Sequence, residues 1–256
     1  MGRNSIAALL CQRSPDKKDA AADNDDGDGD HNNEFCRDMY SIFGLNIPAP
    51  YPLMSPRSVD SLTEEMMSDL PSAREVLRLF TIYKDTVHPF WGFLVDIDAF
   101  ETRLTAYLEE RTSHSRGTVT KWRPVSGSWL AILFGCLAMA SQFSDAPYSV
   151  RCRDSAKYLQ MAVHFLRLSN FLLHPNFDTI QAMLITSFVL INDMKVEASW
   201  AVLGLSCRLA ISLGLHRPTT DDPDTAQDQK SNEMIRRKLW WTCVWHDTLI
   251  SSSFDR

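Results

Sequence analysis

The chain of 256 residues and 29.1 kDa, 45% hydrophobic and 23% charged, is long enough to bury a sizeable core and falls outside the fibrous and low-complexity classes. Its net charge of −6 is localised, because eight acids and two lysines fall between Asp16 and Glu34 and the remainder is balanced. That balance excludes the overall basic field that drives non-specific nucleic-acid binding.

Up to about Asn33 the sequence is rich in Asp, Asn, Gly and Ala and too poor in large apolar groups to offset chain entropy, so a disordered acidic tail is expected. Asn24, Asp26, Asp28 and Gly29 imitate a calcium loop, but the last ligand position would fall on Phe35 and the bidentate glutamate is missing. Ile6 stands where N-myristoylation wants Ser or Thr, and the apolar run Ile6 to Cys11 is too short for a secretory signal. Residues 35–70 centre on the proline-rich run Asn46 to Pro52 and read as a linker, which makes residues 1–70 tail and linker and 71–256 the folded domain.

Regular structure is expected from Ser72, whose spacing to Glu75 fits a capping box. Val76, Leu79, Phe80 and Tyr83 recur every three or four residues, predicting an amphipathic helix that ends near His88-Pro89. Asp98 with Glu101 repeats the capping pattern for a helix burying Phe100, Leu104, Tyr107 and Leu108, followed by a polar loop from Arg111 to about Ser126. From Ser128 to about Phe143 the chain is apolar nearly all round, which predicts a central helix, and its apolar stretch is too short to span a bilayer. A helix from about Ser149 to Leu173 buries Tyr158, Met161, Phe165, Leu166 and Leu172, and Asp178 with Gln181 caps another running through Ile191. Nothing alternates at period two for long, so the fold class is all-α, a multi-helix bundle of antiparallel helices.

The last stretch, Ala198 to Arg256, predicts two apolar helices joined by a polar excursion. The first ends at Leu213-Gly214, where glycine takes the left-handed conformation. Thr219 to Lys230 is polar and lies beside Pro218 and Pro223, and Ser231 is the expected cap of the second helix, with Glu233 in its first turn. That helix carries Arg236, Arg237 and Lys238, then Trp240, Trp241 and Trp245; three tryptophans so close predict packing on more than one side.

Gly214-Leu215-His216-Arg217, followed by Glu233, Arg236-Arg237, Leu239-Trp240-Trp241 and Asp247, resembles the regulatory middle region of fungal zinc-cluster transcription factors. Trp200, Gly204 and Arg208-Leu209-Ala210 match the helix before that corner, and His88-Pro89-Phe90 with Phe93 resembles its entry segment, with Gly92 where a proline is common. The resemblance runs from about Ser72 to Arg256 and implies a nuclear regulator of RNA polymerase II transcription, not an enzyme. Its expected partners are the transcription machinery or co-regulators, a small-molecule effector and a second copy of the chain; no membrane is implied. DNA contact would come only through a module of six closely spaced cysteines holding two zinc ions. Cys11, Cys36, Cys136, Cys152, Cys207 and Cys243 are scattered and form no such cluster, so no cofactor is expected in this chain. Asp255-Arg256 replaces the family's glycine-arginine corner, which suggests a truncated or mis-spliced product or a regulator that lost its DNA-binding module. The last helix should then leave Val244, Leu249, Ile250 and Phe254 without partners.

Two other classes compete. Asp221-Asp222-Pro223-Asp224 imitates the acidic motif of all-α metal-dependent isoprenoid enzymes, although such carboxylates must project from helix walls and these surround a proline. A plain helical interaction protein is the third reading. Cys243 and His246 have zinc-like spacing without a second pair, and His88 and His216 flank helix ends where capping or packing explains them. Arg236-Arg237-Lys238 fits a solvated face, interior pairing with carboxylates such as Glu233, or weak DNA contact. Trp200, Trp240 and Trp241 are core residues or the border of an effector cavity, and Arg208, His216, Arg217 and Asp247 complete the candidate set.

Overall fold

A computed structural model describes residues 70–115, 125–217 and 227–254, and the fold is set by the helix that the sequence marks as apolar on every side. This helix, α4 (Gly127–Gln142), is buried at every position through Ser141. Helices α1 (Ala73–Ile82), α5 (Tyr148–Leu168) and α6 (Phe177–Asn192) pack around it. Helix α7 (Val196–Ser212) lies on α6, and α8 (Gln227–Ser253) lies on α7 and touches α6. Between α1 and α4 in the chain come a π-helical turn (Tyr83–Val87), the short α2 (His88–Trp91) and α3 (Ile97–Ser115). No strand occurs among the described residues, and the all-α bundle expected from the sequence is what forms. The acidic tail, its calcium-like run, the proline-rich linker to residue 69 and the Asp221–Asp224 motif lie outside the described residues.

Ser72 caps α1 as expected, its hydroxyl accepting from the Glu75 N–H at 3.2 Å, while Glu75 turns to Arg78 instead of completing the box. Other boundaries differ from expectation. The first helix does not stop at His88-Pro89. The His88 N–H reaches back five residues to Tyr83 O, and this wider turn lets the chain pass a proline that has no N–H to offer. It closes at Gly92, φ 55°, whose N–H donates to His88 O at 2.9 Å. Asp96, not Asp98, accepts a first-turn N–H of α3, from Ala99 at 2.9 Å, and α3 runs on through Arg111 to Ser115 where a loop was expected. Asn176, not Asp178, caps α6. Its side chain accepts from the Thr179 N–H at 2.8 Å, and Thr179 Oγ1 accepts the Asn176 N–H in return. Helix α5 ends at Leu168, leaving Leu172 exposed, and Ser231 sits inside α8, which starts at Gln227.

The core is tightest where α4 crosses α6. A Cβ built on Gly135 would lie 2.9 Å from Ile185 Cγ2, so the glycine is there for the close approach of the two helices. Gly135→Ala is therefore expected to destabilise the fold by about 1–3 kcal/mol through overpacking, although alanine is the better helix former by about 1 kcal/mol. Urea denaturation measures the sign, and a more stable variant would refute the account.

Candidate functional site

Two neighbouring features gather the candidate residues. The first is the corner after α7. Gly214, φ 72°, donates its N–H to Ile211 O at 2.9 Å, and Leu215 donates to Ala210 O at 3.1 Å. Those two bonds are the Schellman pattern, and an L side chain at Gly214 would pay the left-handed backbone cost. Leu215 is buried, which leaves His216 and Arg217 exposed beyond it.

Helix α8 grips this corner. Arg236 is mostly buried, and its Nη2 donates to Gly214 O at 2.9 Å. Glu233 stands between two guanidinium groups, with Arg236 Nε at 3.6 Å and Arg237 Nη2 at 3.8 Å. Arg236 thus turns inward beside Glu233, although its Nε and Glu233 Oε2 make no hydrogen bond, whereas Arg237 is exposed. The His216 ring lies 5.9 Å from that of Trp240, so Gly214, His216, Arg236 and Trp240 are brought together. Arg217 Nε donates to His216 Nε2 at 3.3 Å. Arg208 and Trp200 are exposed on α7, and Asp247 is half-buried on α8. Arg236→Ala is expected to cost about 1–3 kcal/mol, since a charge-assisted bond to a helix-end carbonyl is lost, and Arg236→Lys less. Equal stability of wild type and Arg236→Ala in urea would remove the grip from the account.

The second feature is an open groove of about 550 Å³ between the turn after α2 and the outer face of α8. His88, Gly92, Leu94 and Val95 line one wall; Met234, Arg237, Lys238, Trp241 and Thr242 line the other. The Val95 N–H donates to Gln181 Oε1 at 2.9 Å, which ties the first wall to α6. No acid lines the groove, and its charged lining residues are Arg237, which lies 3.8 Å from Glu233, and Lys238. His88 Nδ1 is buried there with no hydrogen-bond partner, and burial pushes the His88 pKa down, helped by Lys84 and opposed by Asp98.

The three tryptophans of α8 do not all pack inward. Trp241 is 62% exposed and Trp245 51%, because they follow Met234 at helical spacing on the face opposite the buried Leu239, Cys243, His246 and Ile250. Trp240 leans on the core, and Trp245 reaches the buried His246 ring at 4.9 Å while half of it stays exposed. Trp241 borders the groove, and Trp200 and Trp240 are not among its lining residues. At the end of α8, Leu249 and Phe254 are exposed as expected and Val244 is half-buried, but Ile250 is buried. Among the described residues no three His, Cys, Asp or Glu side chains are grouped so as to hold a metal ion.

Both features lie within residues 81–256, which match the family described as the fungal specific transcription factor domain. The chain belongs to that family. It is 28% identical, over 75% of its length, to the C6 finger domain transcription factor hasF of Aspergillus fumigatus, covering 26% of that protein. It is 22% identical over 74% of its length to the agnestins biosynthesis cluster transcription factor AgnL11 of Paecilomyces divaricatus, covering 28% of it. Over 44% of its length it is 32% identical to the lactose regulatory protein LAC9 of Kluyveromyces lactis, covering 12% of that protein. The chain thus spans about a quarter or less of these relatives. No solved structure matches it. None of the described helices is long and apolar enough to cross a membrane.

Proposed function

We propose that the chain is the regulatory domain of a nuclear fungal transcription factor of the zinc-cluster type, acting on RNA polymerase II transcription by binding an effector or partner and not by catalysis. The folded unit would begin at about residue 71, because Val76, Leu79 and Phe80 of α1 enter the same core as the family segment. Base reading would fall to a zinc-cluster module and not to these helices. The observation that supports an effector is the groove, in which Trp241 and Met234 offer apolar surface beside the cations Arg237 and Lys238. Its chemistry suits an anionic, flat or apolar metabolite, with the carboxylate on Arg237 and the body on the indole. The exposed stripe Met234, Trp241, Trp245 and Leu249 continues for about 22 Å along α8 and supports a co-regulator as the second occupant.

Titrating a panel of aromatic and aliphatic carboxylic acids should quench the tryptophan fluorescence of the wild-type chain. The response should be lost in Trp241→Phe, and the affinity weakened about tenfold or more in Arg237→Ala, which removes a charge-assisted contact. Silence across the panel would overturn the effector.

A further inference from the structure

Helices α7 and α8 meet through two cysteines that the corner and the groove do not use. Cys207, on α7, is half-buried; Cys243, on α8, is fully buried, and both are free thiols. The Cys207 Sγ donates to the backbone oxygen of Cys243 at 4.0 Å, and the two side chains are within hydrogen-bonding reach of each other. Cys207 is therefore the more accessible of the two residues, and Cys243 is buried opposite it on the neighbouring helix.

We propose that Cys207 and Cys243 form an oxidation-sensitive pair, with Cys207 the attacked sulfur and Cys243 the resolving one, which a peroxide converts to a disulfide linking α7 to α8. In the first step the Cys207 thiolate attacks the peroxide O–O bond; sulfur is oxidised to a sulfenic acid, and hydroxide leaves and takes up the Cys243 thiol proton as water. In the second step the Cys243 thiolate attacks the Cys207 sulfur and expels hydroxide, which takes up the proton that Cys207 released to solvent when it ionised; the S–S bond closes, and the two thiols have been oxidised while the peroxide is reduced to two molecules of water. The Cys243 S–H, donating to Cys207, holds the Cys207 thiol below its usual range, while burial and Asp247 act against it. Cys243 is pushed well above its own range, first by that same hydrogen bond and then by burial, and so remains protonated until Cys207 has reacted. The bond would fix the pair of helices on which the Arg236–Gly214 contact depends.

The test is hydrogen peroxide treatment of the full chain, alkylation of remaining thiols and peptide mapping without reductant. The expected result is one Cys207–Cys243 cross-linked peptide, reversed by dithiothreitol, formed equally in Cys152→Ser and absent in Cys207→Ser. In Cys243→Ala a sulfenic acid trapped by dimedone should appear at Cys207 instead, and Cys207 alkylation should slow by roughly three- to tenfold as its thiolate loses a donor. Circular dichroism confirms that each variant folds, and Cys243→Ser replaces Cys243→Ala if the latter does not. Peroxide that carries wild-type Cys207 to sulfinic acid without a cross-link, or a link that forms through Cys152, overturns the proposal.

Discussion

Trp129→Ala should cost about 3–5 kcal/mol and lower the melting temperature by roughly 6–20 °C, whereas Trp129→Phe should cost less than half as much. Trp129 is 2% exposed on α4 and is the largest of the fully buried side chains. Its ring lies 5.3 Å from Phe100 and 5.4 Å from Tyr107, both on α3, and the Arg103 guanidinium covers it at 4.9 Å. Removing the indole therefore takes away the surface on which α3 packs, and α4, buried all round, has little freedom to collapse into the gap. Phenylalanine restores most of that surface. The indole N–H has no hydrogen-bond partner, so its loss costs little and the phenylalanine variant should be down by about 1–2 kcal/mol. The cation over the ring is a smaller effect: Arg103 is exposed, and Arg103→Ala should cost only about 0.5–1 kcal/mol. Thermal and urea melts of the three variants give the order Ala, Phe, Arg103→Ala from worst to mildest. If Arg103→Ala proves as damaging as Trp129→Ala, the charge and not the buried surface holds α3 in place.

What the sequence disclosed follows from how local each feature is. The centrality of α4 was legible because no helix with both faces apolar can sit at a surface. Gly214 was legible because its conformation is rare for any other residue. The caps were misplaced by two residues for a plain reason. Asp96 and Asp98, like Asn176 and Asp178, are both good caps, and the buried pattern that follows fits either start. The outward turn of Trp241 and Trp245 was hidden more deeply. Helix α8 is apolar on two faces, one carrying Leu239, Cys243 and Ile250 and the other Met234, Trp241 and Trp245. Periodicity shows that two such faces exist but not which one meets α7. The groove had no local signal at all, since its walls come from residues 88–95 and 234–242, far apart in the chain. His88-Pro89-Phe90 marks one wall in the sequence, but only packing brings Arg237 and Trp241 opposite it.

The same packing places charge-sensitive groups where water is scarce, so acid should loosen the bundle well before the carboxylates titrate. His246 is 2% exposed and His164 5% exposed, and burial pushes each down to about 4. The His246 ring stacks on Phe93 at 4.6 Å, with Trp91, Phe188 and Trp245 completing an aromatic cage, and its Nε2 has no partner. Each folded-state value lies below the ordinary 6.5, so the unfolded chain takes up the proton first. Their contribution is therefore complete above pH 6.5 and is lost as pH falls from 6.5 toward 4, at about 1.4 kcal/mol per pH unit for each histidine. His88 acts in the same direction. Glu75, held below its usual range chiefly by Arg78, loses its contribution only below about pH 4.5, so the interval from pH 6.5 to 5 belongs to the histidines. Two histidines over that interval amount to roughly 4 kcal/mol, a large share of the 5–15 kcal/mol typical of a domain. Urea melts at pH 7, 6 and 5 should show the midpoint falling, and His246→Gln should remove about half of the slope while lowering stability at pH 7. The surrounding rings could oppose this by holding an imidazolium through cation–π contact, worth up to about 2 kcal/mol for a desolvated pair. Desolvating a charge costs several kcal/mol, which decides the balance. A stability curve that stays flat from pH 7 to 5 would show that the folded protein takes up these protons as readily as the unfolded chain, and would overturn the account.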